Sequence, residues 1–387
     1  MTDLITTPID EKLVRGAIEL ERTAHGVQPH RLPAGARRQF ADGFLTMVEA
    51  QPTGVRVAFR TRATVIELEA LPTRIAYSNG LSLPLGVYEM VVDGELSGAA
   101  SISTGILHTI DAATGAMTTD AGPAGAVRFT DLPGTMKNVE IWLPHTETAE
   151  LIALRTDAPV EPAPAPERTW VHYGSSISHG SNAERPTATW AAIAARRAGV
   201  NLINLGLRGN ALLDQFVART IRDTPADAIS LAIGINLVNA DALRMRSFTS
   251  AVHGFLDTIR DGHPTTPLLI VSPILCPIHE DTPGPIAPEI VDGTILFRAT
   301  GDPTDPTRLT LTRIRTELSR IVTERAQEDP NLHYLNGLDI YGAPDAAAHP
   351  LPDRLHPDAA THVLMGDRFT TLTFAPGAAL AARGNPA

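Results

Sequence analysis

The sequence predicts a two-part α/β protein: an all-β, jelly-roll-like sandwich followed by a parallel sheet covered by helices on both faces. Three observations predict it. Apolar residues recur with period two over residues 1–158. From residue 169 onward, short apolar runs alternate with amphipathic helical patterns. Between them, the segment from Pro159 to Pro166 holds four prolines in eight residues, which suits neither a helix nor a central strand. The expected organisation is a sandwich at 1–158, an extended Pro-rich connector at 159–168, an α/β unit at 169–376, and a small-residue tail at 377–387 that frays.

In the first part, Val55, Val57 and Phe59 alternate with Arg56, Ala58 and Arg60. Thr64, Ile66 and Leu68 repeat the pattern, and Tyr88 and Val91 lead into the turn residues Asp93 and Gly94. Ile106, Thr109 and residues 126–129 continue it, and Val139, Ile141 and Leu143 alternate with Glu140 and Trp142. Such alternation reads as half-buried strands with one wet face, and many short strands in series read as a sandwich or jelly roll. Trp142, Pro144 and His145 close one of these strands.

In the second part, the strand candidates are Trp170–Tyr173, Asn201–Leu205, Ala228–Ile233, Leu268–Val271 and Leu332–Leu335. The helix candidates are Ala188–Ala198, Leu212–Thr220, Ser247–Arg260, Leu309–Ala326 and Ala359–Thr371. Strict alternation of this kind means a parallel sheet, with functional groups on the loops after the strands. Residues 273–307 form a long Pro/Gly-rich connection, expected as a lid or substrate wall. The helix after it, with Arg313, Arg315, Glu317 and Arg320, reads as a solvated charged face.

Composition excludes several classes. Over 387 residues, 43% are apolar and 19% charged, an ordinary globular mixture long enough for two cores. A net charge of −11 gives no global field for nucleic acid or anionic lipid. The single cysteine, Cys276, excludes an intrachain disulfide and a multi-cysteine metal cluster. Met1 to Gly16 shows acids and no apolar core of a secretory signal, and no apolar run approaches bilayer length, so a cytoplasmic protein is expected.

Four segments carry candidate chemistry. Tyr173-Gly174-Ser175-Ser176 places a serine just past a strand and ahead of a helix, where its hydroxyl projects and its own N–H lies near the helix start. It is not the G-x-S-x-G elbow. Asn204-Leu205-Gly206-Leu207-Arg208-Gly209-Asn210 allows close backbone approach. Gly234-Ile235-Asn236 sets an amide after a buried strand, where it can meet a developing oxyanion. Asp353-Arg354-Leu355-His356 spaces a carboxylate to hold an imidazole. Each segment alone is equally readable as turn chemistry. Together they follow strand ends, converge on one sheet edge, and supply what acyl transfer requires.

This ordered set resembles the SGNH, or GDSL-type, hydrolase superfamily, over residues 169 to about 372. The resemblance implies a flavodoxin-like three-layer α/β/α fold. It implies Ser176 as nucleophile, His356 as base and Asp353 as the third member of a catalytic triad. It also implies an oxyanion hole made by the Ser176 N–H, Gly209 and Asn236, with Gly206 as the alternative glycine. No metal or cofactor is implied. The chain departs from the common pattern at Ser175 and Leu237, where Asp is usual; neither position has a covalent role. A sandwich followed by such a unit is also similar to two-domain carbohydrate esterases and to an acyltransferase of a tetracycline-type pathway. The expected function is therefore an acyl-ester hydrolase (an esterase or deacetylase) acting on a small-molecule ester. The alternatives are acyl transfer to a hydroxyl of a secondary metabolite and non-catalytic glycan binding. Neither nucleic acid nor membrane is an expected partner. Cys276, His172 and His179 are read as packed or pocket-lining residues, and His349 and His362 show no metal-ligand spacing with His356.

Overall fold

The computed structural model describes residues 4–39, 42–78, 84–111, 114–292 and 294–382. Contacts divide the chain into two compact units, Met1–Pro166 with Arg185–Thr187, and Glu167–Glu184 with Ala188–Ala387.

Among the described residues, the first unit contains an eight-stranded and a six-stranded sheet. The long strand Ile66–Tyr77 pairs antiparallel with Thr148–Thr156, and Arg56–Thr61 pairs antiparallel with Lys137–Trp142. Val57, Phe59, Ile66, Leu68, Ile141 and Leu151 are fully buried in one apolar cluster. The expected alternation holds at Ile66 and Leu68, whose neighbours Glu67 and Glu69 are half-buried. It fails at Arg56 and Ala58, which are buried too. The Arg56 guanidinium compensates for its burial by pairing with Glu140 at 3.0 Å and stacking 4.8 Å over the Trp142 ring. Trp142 is thus a core residue of this unit. Asp93 and Gly94 both take positive φ, 49° and 91°, the backbone a tight hairpin between Tyr88–Val92 and Glu95–Ala100 needs. Val160–Pro162, in the Pro-rich stretch, pairs with Arg56–Thr61 as an edge strand, the one sheet position that tolerates proline.

The second unit holds five parallel strands: β1 (Thr169–Gly174), β2 (Asn201–Gly206), β3 (Ala228–Ala232), β4 (Leu268–Val271) and β5 (Leu332–Leu335). Their order, β2-β1-β3-β4-β5, is the flavodoxin-like one. The helices are α1 (Ser176–His179), α2 (Trp190–Ala198), α3 (Gln215–Asp223), α4 (Ile235–Asn239), α5 (Met245–Gly262), α6 (Leu311–Arg325), α7 (Ala343–Ala348) and α8 (Ala359–Phe374). Side chains three apart on a strand face opposite ways, and β1 shows it. Trp170 meets Trp190 of α2 and Phe369 and Phe374 of α8, at centroid distances of 6.3, 5.3 and 5.4 Å. Tyr173 packs on Phe255 of α5 at 5.3 Å. Side-chain caps start the helices: Thr189 accepts from the Ala192 N–H, Thr310 from Arg313 and Asp358 from Thr361.

The 273–307 connection carries regular structure, a short turn at Pro277–His279 and an antiparallel hairpin, Ile286–Val291 with Thr294–Ala299. One expectation needs correction: Arg315, on the helix after it, is not solvated. It is 8% exposed, and its guanidinium donates to both oxygens of Glu280 at 2.6 and 2.8 Å. It also donates to the Pro273 and Ile274 carbonyls at 2.8 and 3.0 Å, which pins the start of the insertion to α6. In the segment expected to fray, Leu380 is fully buried and its N–H donates to the Thr373 carbonyl at 2.8 Å.

Candidate active site

The turn after β1 is built by close packing. A Cβ on Gly174 would lie 2.1 Å from Ser178 Oγ, and one on Gly206 would lie 2.4 Å from the His179 nitrogen. Two strand-end glycines thus let α1 settle on the ends of β1 and β2. Ser175 caps α1 by accepting from the Ile177 N–H at 3.2 Å. Ser176 is then the first helical residue, and its N–H has no intrahelical acceptor. Beneath it, His172 Nε2 lies 2.7 Å from Ser178 Oγ and His172 Nδ1 2.7 Å from Ser230 Oγ. Trp170 Nε1 donates to the same Ser230 oxygen at 2.8 Å. Burial pushes His172 down to about 3, so this ring is a neutral tie between β1, β3 and α1.

His356 arrives from 180 residues away, and its Nε2 sits 2.9 Å from Ser176 Oγ. Its Nδ1 lies 2.6 Å from Asp353 Oδ2. A carboxylate only accepts, so Nδ1 carries the proton and Nε2 is left as the acceptor facing the serine. Asp353 Oδ1 accepts from the Leu355 and His356 N–H groups at 2.9 and 2.7 Å. Burial alone would raise the Asp353 pKa, but the hydrogen bond and charge of His356 and the two backbone donors outweigh it and hold the carboxyl below its ordinary value. The turn that allows this bends at Arg354, whose φ is +68°.

The insertion supports that turn, which sequence reasoning missed. The Phe297 N–H donates to the Asp353 carbonyl at 3.0 Å, and the Phe297 ring meets the His356 ring edge-on at 6.0 Å. Arg354 pairs with Glu289 at 2.5 Å, and the Cys276 thiol donates to the Arg354 carbonyl at 3.4 Å. A Pro-rich stretch downstream of β4 was the available signal, but no spacing links it to residue 356.

Asn236 lies in the first turn of α4 and is 3% exposed. Its Oδ1 accepts from the Ala211 N–H at 3.2 Å, and its Nδ2 has no partner among the described residues. The amide is therefore oriented by its oxygen and left with donors to spend. The two candidate glycines differ in the same way. The Gly206 N–H is committed to Asn204 Oδ1 at 2.8 Å. Gly209 is exposed, has φ +73°, and its N–H has no partner among the described residues.

His179 is 1% exposed, and its Nδ1 lies 3.1 Å from the Gly206 carbonyl. His362 is buried, with Nε2 on the Ser181 carbonyl at 2.9 Å and Nδ1 accepting from the Trp190 N–H at 3.3 Å. Burial pushes it down to about 4. Burial likewise pushes the Cys276 thiol up to about 12, leaving it protonated. Among the described residues no group of three or more His, Cys, Asp or Glu could hold a metal ion, and no helix is long and apolar enough to cross a membrane.

The arrangement is a hydroxyl–imidazole–carboxylate chain, and parts of the sequence match known families. Residues 167–276 match the model of the GDSL-like Lipase/Acylhydrolase family. That segment is GDSL-like. It contains Ser176, Gly209 and Asn236, while Asp353 and His356 lie beyond it. Residues 13–152 match the SsfX3 N-terminal domain. The fold is similar to that of the salicylyl-acyltransferase SsfX3 from a tetracycline biosynthetic pathway, at 26% identity and TM-score 0.79, over 94% of this chain and 95% of that one. A GDSL-like lipase from Bacteroides ovatus shares the fold at 21% identity and TM-score 0.66, over 95% of each chain. A family two carbohydrate esterase from Clostridium thermocellum shares it at 14% and 0.56, over 82% of this chain and 90% of the other. A sequence comparison with curated proteins found no match. These likenesses support an enzyme, with residues 167–276 GDSL-like.

Proposed function

We propose that the protein is a serine-dependent acyl-ester hydrolase acting through an acyl-enzyme on Ser176. The observation that carries this reading is the unbroken chain Ser176 Oγ–His356 Nε2 and His356 Nδ1–Asp353 Oδ2, at 2.9 and 2.6 Å. Ser176 Oγ attacks the acyl carbonyl of a small-molecule ester while its proton passes to His356 Nε2. Asp353 holds the imidazole in the required tautomer and stabilises the imidazolium. The Ser176 and Gly209 N–H groups and Asn236 Nδ2 receive the oxyanion. His356 then returns the proton to the departing alcohol as the acyl–oxygen bond breaks. Water, deprotonated by the same imidazole, releases the acid and restores Ser176.

A second reading is supported by the likeness to SsfX3 along both chains. In it, the acyl group passes from Ser176 to a hydroxyl of an acceptor molecule instead of to water. The residues are the same, and only exclusion of water distinguishes the two outcomes. Glycan binding without catalysis is disfavoured, because a vestigial site has no need for an intact hydroxyl–imidazole–carboxylate chain. A cytoplasmic site of action is part of the proposal, supported by a chain that has one cysteine and no use for an oxidising compartment.

The test is turnover of an activated ester by wild type and Ser176→Ala, with and without an added alcohol. Free acid from wild type and none from the variant is the expected result. Ester formed on the alcohol in preference to acid would select transfer. Equal turnover by wild type and variant would overturn the assignment of Ser176.

A further inference from the structure

The hairpin that supports the catalytic turn has two chemically distinct faces. Directly paired residues of an antiparallel ladder share a face. Ile286 pairs with Ala299, Pro288 with Phe297 and Ile290 with Ile295, so every residue on one face is apolar. The opposite face holds all the polar residues of the two strands, Glu289, Thr294 and Arg298. That polar face is in use: Glu289 pairs with Arg354 at 2.5 Å and with Arg298 at 3.8 Å. The apolar face is not closed over. Pro288 is exposed, Ile290 is 73% exposed, and Ile295 and Phe297 are only partly buried. Scattered exposed apolar residues are ordinary, but a whole strand-pair face cleared of polar groups and left open to water marks a binding surface.

This face begins at the reacting imidazole. The Phe297 ring meets the His356 ring edge-on at 6.0 Å, and the Ile290–Ile295 pair lies two residues, roughly 7 Å, further along the strands. His356 Nε2 returns a proton to the departing alcohol, whose oxygen must come within hydrogen-bond reach of that nitrogen. The alcohol is therefore held beside the imidazole, and a surface packed on that ring flanks it. Resting on the Ser176 reading above, we propose that the apolar face of the hairpin binds the alcohol portion of the substrate, and that the enzyme takes esters of apolar alcohols in preference to esters of sugars. In transfer, the same face receives the acceptor alcohol. The hydroxyls of a sugar laid on this wall would lose water and gain no partner from it, whereas an alkyl or ring carbon gains by leaving water.

The experiment holds the acyl group fixed and varies the alcohol. The acyl group is whichever of acetyl, hexanoyl and benzoyl wild type releases fastest from its p-nitrophenyl ester. Its ethyl, hexyl and glucose 6-O esters, all of primary alcohols, are then compared by kcat/KM in wild type, Ile290→Asp, Ile295→Asp, Val291→Asp and Ser176→Ala. A methylene taken fully out of water is worth about fourfold, and one wall covers about half of it, so four extra methylenes should favour hexyl over ethyl by about tenfold. The glucose ester should run no faster than the ethyl ester. Ile290→Asp and Ile295→Asp should each lower the hexyl-to-ethyl ratio at least about threefold. Val291→Asp, on the opposite face, should keep the wild-type ratio. Ratios within one variant are unaffected by any loss of folded protein. A wild-type ratio near one, a glucose ester faster than the hexyl ester, ratios unchanged in both isoleucine variants, or an equal fall in Val291→Asp would each overturn the proposal. No release from any p-nitrophenyl ester by wild type, or turnover surviving in Ser176→Ala, would overturn the underlying reading instead, and the alcohol site with it.

Discussion

Replacing Asn236 tests the oxyanion assignment, because the structure separates its two polar atoms. Oδ1 is spent on the Ala211 N–H at 3.2 Å, and Nδ2 is unspent among the described residues. Asn236→Ala removes both. Loss of one oxyanion donor costs about 2.7–4 kcal/mol of transition-state stabilisation, a fall of roughly 10²–10³ in kcat. Loss of the acceptor leaves the N–H of Ala211, a residue only 3% exposed, without its partner, and costs about 1–3 kcal/mol of stability. Asn236→Asp keeps an oxygen for Ala211 but replaces the donor with a group that repels a developing negative charge. Its kcat should fall at least as far as that of the alanine variant. The assay is kcat on an activated ester, normalised to folded protein, alongside urea unfolding of each variant. A folded Asn236→Ala or Asn236→Asp enzyme with undiminished kcat would refute the reasoning.

Asp353→Asn should lower kcat by up to about 10⁴, because an amide donor facing Nδ1 favours the wrong imidazole tautomer, and pre-steady-state kinetics would show the loss in acylation. Phe297→Ala should leave KM close to wild type and lower kcat by up to about 10², since it frees the His356 ring and the turn beneath it; an unchanged kcat would dismiss the hairpin as a positioning element. Stability should fall as pH drops below the ordinary histidine range. His172 and His362 stay neutral when folded, with values of about 3 and about 4, whereas the unfolded chain protonates them near 6.5. Above that value they contribute no pH dependence. Between pH 7 and pH 5 the pair should cost about 4 kcal/mol, at about 1.4 kcal/mol per pH unit for each histidine, and urea unfolding at the two values would measure it.

The parts of this fold legible in sequence were those whose local pattern matches their burial. β3 and β4 are nearly continuous apolar runs covered on both faces, and all five parallel strands fall where such runs or their neighbours were read. The residues brought together at the site were legible because they follow strand ends and carry the residue types of one chemistry. The hairpin at 286–299 was not legible: its strands bury no residue fully, and Ile290 is 73% exposed, so no alternation marks them. Arg315 was misread because helical periodicity gives a face but not a partner, and Glu280 lies 35 residues away. The His172 tie was hidden because Ser230 becomes its neighbour only after β1 and β3 pair, and Ser178 only after α1 folds back on β1. The hydrogen bond that occupies the Gly206 N–H, a ground for the proposed Gly209, was not legible either.

The central claim is that His356 activates Ser176, and a fluorophosphonate serine probe tests it most directly. Intact-mass spectrometry after labelling should show one adduct on wild type, none on Ser176→Ala, and a strongly slowed adduct on a folded His356→Ala variant. Wild-type protein that is folded and unlabelled, or an adduct that persists in Ser176→Ala, would contradict the account.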